Sequence, residues 1–250
     1  MSPGQQLEPF VGKWLLFWPE QAVLEVFTPE RLKPVARAWG SLLFELHECA
    51  FGLEHEPVRE QKSLWWSQEL QAAQLGSAKH PITQLLQEYS LPFGELAEPL
   101  LGLAQQAPIR AGNSRALAGV LCPFAEAITR IEQGLFGGEG GSPPDSVIAQ
   151  LLVMRLPHGL QAFDRALIPM NLLARHQGLE QINDEPALLK DWLAELAGLL
   201  PAEQGGNWYR SAQTRFTNRR IRRLQAFKTP GIKPGHVWDV WRAMRTNPPY

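Results

Sequence analysis

The chain has 250 residues, with 24 Lys and Arg against 25 Asp and Glu, 44% hydrophobic residues and 20% charged ones. That balance excludes a disordered or fibrous chain and nominates no nucleic-acid partner. Two cysteines, Cys49 and Cys122, cannot build a disulfide framework, and no CxxC supports a zinc site, so a reducing, cytoplasmic setting is expected. No stretch approaches the ~18–20 uninterrupted apolar residues of a membrane span. Met1 to Glu8 carry Gln and Glu where a secretory signal would carry a basic n-region, so no signal is expected there.

Apolar residues recur at helical spacing with no run of alternating strands, so the chain reads as a single all-α domain of about ten helices over residues 1–250. Thr28-Pro29-Glu30 predicts a helix start, with the hydroxyl as cap, proline in the first turn and an anion at the positive end of the dipole. The stripe Leu32, Val35, Ala36, Trp39, Leu42, Leu43, Leu46 and Ala50 carries that helix through about Phe51. A second runs from about Val58 to Leu75, and His80-Pro81 opens a third. Leu91-Pro92 and Ala107-Pro108 punctuate the next segments. A long helix is expected over Ser114 to Gln133, bent at Pro123, with a loop over Gly134 to Gly141. Ser142-Pro143-Pro144-Asp145 opens a helix from Val147 to Arg155. Helices are then expected near Met170–Arg175, Glu185–Leu200, Pro201–Phe227 and Lys233–Arg245.

Phosphate-loop, HExxH and GxSxG signatures are lacking, and the six histidines show no i,i+4 pair that would make a metal face. Three segments are more specific. They are Lys62-Ser63-Leu64-Trp65-Trp66-Ser67-Gln68-Glu69-Leu70, then Gly76 to His80-Pro81-Ile82-Thr83, then Arg165-Ala166-Leu167-Ile168-Pro169-Met170-Asn171-Leu172-Leu173. In order and spacing, from about Trp14 to Arg245, the chain resembles the squalene/phytoene synthase family. The resemblance implies the all-α isoprenoid synthase fold, a helical bundle around a central cavity. It also implies head-to-head joining of two prenyl diphosphates, with D-x-x-x-D pairs on two facing helices holding Mg²⁺.

Those pairs are missing, because aspartate occurs only at 145, 164, 184, 191 and 239. By the family spacing, the first acidic motif falls on Glu48 and Gly52, with Glu45 one turn earlier, and the second on Leu156 and Leu160. A leucine cannot ligate Mg²⁺. The family arginines fall on Arg155 and Arg165, which with Glu45 and Glu48 are candidates for a cavity or residual anion site. The Trp65-Trp66 pair reads first as packing. The family also contains a branch, including a mitochondrial complex I assembly factor, that keeps the fold without intact Asp motifs. The expectation is therefore a squalene/phytoene synthase-like protein with a degenerate site and no cofactor, binding a lipid or isoprenoid or acting in assembly. The alternative is an active prenyltransferase with an atypical site, in which case Mg²⁺ is required.

From Arg210 to Lys228 the chain carries Arg210, Arg215, Arg219, Arg220, Arg222, Arg223 and Lys228 with no acid between them. The segment reads either as a docking surface for an anionic membrane or acidic protein, peripheral to the inner face of a membrane, or as a solvated basic face.

Overall fold

The computed structural model describes residues 3–106, 109–138, 143–154, 156, 167–176, 185–201, 206–228 and 231–249, and among these it has twelve α-helices and no strand. They are α1 (Pro3–Phe17), α2 (Gln21–Phe27), α3 (Lys33–His47), α4 (Glu56–Gln74), α5 (Pro81–Leu86), α6 (Ala97–Gln106), α7 (Ser114–Phe136), α8 (Pro144–Val153), α9 (Met170–Arg175), α10 (Glu185–Leu199), α11 (Trp208–Gln225) and α12 (Pro234–Thr246).

Proline sets the first turn of α3, α4, α5, α8 and α12, where its missing amide proton would have had no intrahelical acceptor. Asn113 and Asn207 cap α7 and α11, their side chains accepting from the amides of Ala116 and Arg210. Thr28 departs from expectation: its hydroxyl donates to Leu24 O and closes α2 rather than opening the next helix. Glu30–Leu32 is a short 3₁₀ turn before α3. The expected single helix through Phe51 also changes character, because α3 passes at its end into a π turn over Glu48–Gly52. The basic helix starts later than its sequence suggests, at Trp208, and α7 runs through Pro123 to Phe136 as one helix.

The elements pack as a layered bundle. α1 and α5 lie on α3, α4 lies on α6, α7 on α8, and α11 on α8, α10 and α12. The Trp14 ring of α1 rests directly on Gly40 of α3, where any side chain would displace it. Trp18, Trp39, Trp66, Trp192 and Trp208 are almost wholly buried, which places large apolar groups along the length of the bundle. None of the described helices is long and apolar enough to cross a membrane.

Candidate functional site

Along α3 and its π turn, Glu45, His47, Glu48 and Gly52 are the residues that the motif spacing singles out or surrounds. Glu45 is buried but not alone. Lys13 Nζ of α1 donates to its Oε1 at 3.4 Å, and Lys62 Nζ of α4 donates to its Oε2 at 3.1 Å. Two ammonium groups already overcompensate the carboxylate, so a divalent cation approaching it would meet like charge.

Glu48 is half-buried. Its Oε1 lies 3.8 Å from His47 Nδ1, and its carboxylate lies over Gly52, where an ideal Cβ would come within 2.5 Å of Oε2. Gly52 thus leaves room for Glu48 instead of adding a second carboxylate. His47 reaches the facing helix, its Nε2 lying 2.8 Å from Leu151 O of α8. A carbonyl accepts only, so Nε2 is the donor, while Nδ1 is buried without a hydrogen-bond partner. A histidine therefore ties the end of α3 to α8, the helix that precedes Leu156. No spacing rule in the sequence singled out His47, although its place between Glu45 and Glu48 marks it in retrospect.

Just beyond α8, Leu156 is buried at 4% exposure and belongs to the apolar core. Arg155, Leu160 and Arg165 lie outside the described residues. Mg²⁺ demands several oxygen ligands in near-octahedral array. Position 52 offers none, position 156 is a core leucine, and Glu45 is held by two lysines. Among the described residues no three His, Cys, Asp or Glu side chains gather as a metal site. They do not fit the cation that the resemblance implies.

Deeper in the bundle, α2, α3, α7, α8 and α11 are joined by a closed polar network. Arg210 Nε donates to Glu132 Oε2 at 2.7 Å, and its other nitrogens pair with Glu132 Oε1 and Gln150 Oε1. Trp39 Nε1 donates to Glu132 at 3.0 Å, while Gln21 and Gln213 exchange amide hydrogen bonds at 2.7 and 2.8 Å. Burial, reinforced by the Glu132 charge, pushes the neighbouring Tyr209 phenol far above its usual range. Beside this network, the space framed by Trp14, Gly40, Leu43, Gln150, Met154 and Gln213 amounts to about 10 Å³, room for no more than about one water molecule. Packed side chains fill this part of the bundle.

The same network corrects the reading of the basic segment. Arg210 is 1% exposed and answers Glu132, so it belongs to the core. Arg220, 2% exposed, donates to both oxygens of Glu20 and to Phe17 O and lies over the Trp18 ring at 4.4 Å. Arg219 forms a two-point pair with Asp239 of α12. The acids that balance these arginines stand far away in sequence. Arg215, Arg222, Arg223 and Lys228 lie toward the outside of α11 and its end, Arg222 and Lys228 being exposed.

The Lys62-to-Thr83 segment forms a joint between α4 and α5. Glu69 Oε1 accepts from the amides of Lys79 and His80 and from the Thr83 hydroxyl, at 2.6 to 2.8 Å. His80 caps α5 and sits against Trp66, Trp65 and Phe10, with ring centroids 5.0, 5.7 and 4.6 Å away. Trp66 is core, whereas Trp65 is 45% exposed.

Superposed on solved structures, the chain is similar to the crystal structure of squalene synthase HpnC from Alicyclobacillus acidocaldarius, with a TM-score of 0.52 over 98% of this chain and 95% of that one. The fold is squalene synthase-like. Sequence identity between the two is 16%, a level at which the likeness carries the architecture and not the chemistry. No protein-family model matches the chain, and no curated protein sequence matches it.

Proposed function

We propose that this squalene synthase-like chain does not join prenyl diphosphates and serves instead as a lipid- or isoprenoid-binding or assembly-type protein. The observation that carries the proposal is the capture of Glu45 by Lys13 and Lys62, which puts ammonium groups at the carboxylate one turn before the first acidic motif. Gly52 and buried Leu156 support it, because each stands where the family spacing requires an aspartate. An active enzyme with an atypical site would have to free Glu45 from both lysines before it could hold a cation. The lipid-binding side of the proposal draws support from a cleft of about 650 Å³, within the usual size range of small-molecule sites, whose apolar wall of Leu7, Ala22, Val26, Pro34 and Leu85 is edged by Glu25, Lys33 and Arg37.

Native mass spectrometry of the chain purified from its own host tests the role. Retention of a lipid, or of a stoichiometric protein partner, through EDTA treatment is the expected result. A chain that carries neither, or that holds a prenyl diphosphate only when Mg²⁺ is added, would overturn it.

A further inference from the structure

Helix α12 packs on α11 and α2 through His236, Val240 and Ala243, which are buried. Its opposite face carries Trp238, Trp241, Arg242 and Arg245, spaced i, i+3, i+4 and i+7 and so aligned along one side of the helix. Trp238 is 60% exposed and Trp241 42%, their rings meeting edge to face with centroids 5.6 Å apart. The Arg245 guanidinium lies 5.2 Å from the Trp241 ring centroid. A surface helix in water ordinarily turns its aromatic groups inward; here both indoles face out, and two cations follow them along the same side.

Next to this face, α11 and α12 enclose a polar cleft of about 280 Å³ lined by Arg215, Asn218, Arg219, Arg222, Asp239 and Arg242. Four arginines face one aspartate, and Arg219 already occupies both oxygens of that aspartate. An excess of three positive charges remains in a concave site. Arg215 Nε is buried without a hydrogen-bond partner. Burial pushes the Arg215 guanidinium below its ordinary range; Asp239 opposes the shift and Arg242 adds to it. An anion with several acceptor oxygens, such as a phosphate, would complement this lining.

We propose that the outer face of α12, with the arginine cleft beside it, is a docking surface for an anionic phospholipid bilayer, headgroup phosphates seating against Arg215, Arg222 and Arg242. A bilayer fits better than an acidic protein for a reason of pattern. This face sets two exposed indoles and two guanidinium groups on one side of the helix, next to a cleft that holds an excess of positive charge. Such mixing matches the headgroup layer, where tryptophan and arginine both find partners. The inference does not depend on whether the chain has lost catalysis.

The test is co-sedimentation of the full chain with vesicles of phosphatidylcholine alone and of phosphatidylcholine mixed with phosphatidylglycerol, over a salt series. Wild type is expected to bind the anionic vesicles and to weaken as salt rises. Arg222→Gln/Arg242→Gln should lower partitioning about 30-fold, two cations each contributing on the order of 1 kcal/mol at an anionic surface. Trp238→Ala/Trp241→Ala should remove the part of the binding that survives high salt. Arg110→Gln/Arg115→Gln, the same charge change on exposed residues elsewhere, should bind as wild type does. Failure of wild type to bind anionic vesicles overturns the proposal, as does an equal loss in the Arg110/Arg115 control. Displacement from vesicles by inorganic phosphate at matched ionic strength would reveal a free-anion site instead. Binding to polyglutamate as tight as to vesicles, unaffected by the tryptophan changes, would reveal a surface for acidic protein.

Discussion

Arg220 and Arg222 stand two positions apart in one run of basic residues, and the fold uses them in opposite ways. Arg220 is sealed against Glu20 and Trp18, so Arg220→Ala leaves a buried carboxylate uncompensated and should cost ~3–5 kcal/mol of stability. Arg222→Gln, on the exposed side, should shift stability by no more than ~0.5 kcal/mol. Urea midpoints of the two variants check this, and equal losses would contradict the assignment of Arg220 to the core. His80 supplies a pH test. Its pKa is lowered, first by burial, with Glu69 and Glu45 opposing and Lys13 adding to the shift. The unfolded chain therefore takes up a proton near the ordinary value of ~6.5 while the folded chain still resists it. Stability is complete above that value and declines as pH falls toward the lowered one. His236 is shifted in the same direction, chiefly by burial. His80→Asn keeps a capping acceptor but cannot titrate, so it should flatten the slope of stability below pH ~6.5 without abolishing it. An unchanged slope in thermal melts across pH would contradict the role given to His80.

Whether a helix forms was largely legible from punctuation: Met170–Arg175 comes out as expected, and prolines and asparagines mark most other starts. What periodicity could not show was the end of α3. Apolar residues continue in register past His47, yet the backbone opens into a π turn in which bonds run i→i+5, so the α-helical register ends there although the Glu48 carboxylate still lies over Gly52. The basic helix was misread for a related reason. A run of arginines without acids looks exposed when only neighbours in sequence are counted, but Glu132 and Glu20 stand 78 and 200 positions away from their partners. The outward face of α12 was readable, since Trp238, Trp241, Arg242 and Arg245 share one helical side in the sequence itself. Its exposure was not, because tryptophans at that spacing usually mark a core. At the end of α11, Phe227 holds a positive φ of 52° while Lys228 N bonds back to Arg223 O, a left-handed cap that favours glycine. Phe227 is 69% exposed and gives up little packing, so Phe227→Gly should raise stability by about 1 kcal/mol. A loss in calorimetric melting would show that the phenyl ring packs more tightly than its exposure implies.

Across the whole molecule, the bundle answers to the order of three short motifs, and the likeness to squalene synthase HpnC spans nearly the full chain at 16% identity. Architecture survives such divergence because it depends on which faces are apolar and where helices begin, and many sequences satisfy both. The site is less tolerant. By the spacing of the family that the chain resembles, two carboxylate places fall to Gly52, which makes room for Glu48, and to Leu156, which enters the core. The partners of Glu45 were only partly legible: Lys62 lies within a motif, but nothing in the sequence brings Lys13 to the same carboxylate. The central claim is that these replacements leave no prenyl-joining chemistry, and product analysis tests it most directly. The purified chain is incubated with Mg²⁺ and farnesyl or geranylgeranyl diphosphate, alone and as Gly52→Asp, whose new carboxylate must contend with Glu48. The account predicts that neither protein makes a C30 or C40 hydrocarbon, or a cyclopropyl intermediate, above a no-protein control. Detection of squalene, phytoene or either intermediate from the wild-type chain would contradict it.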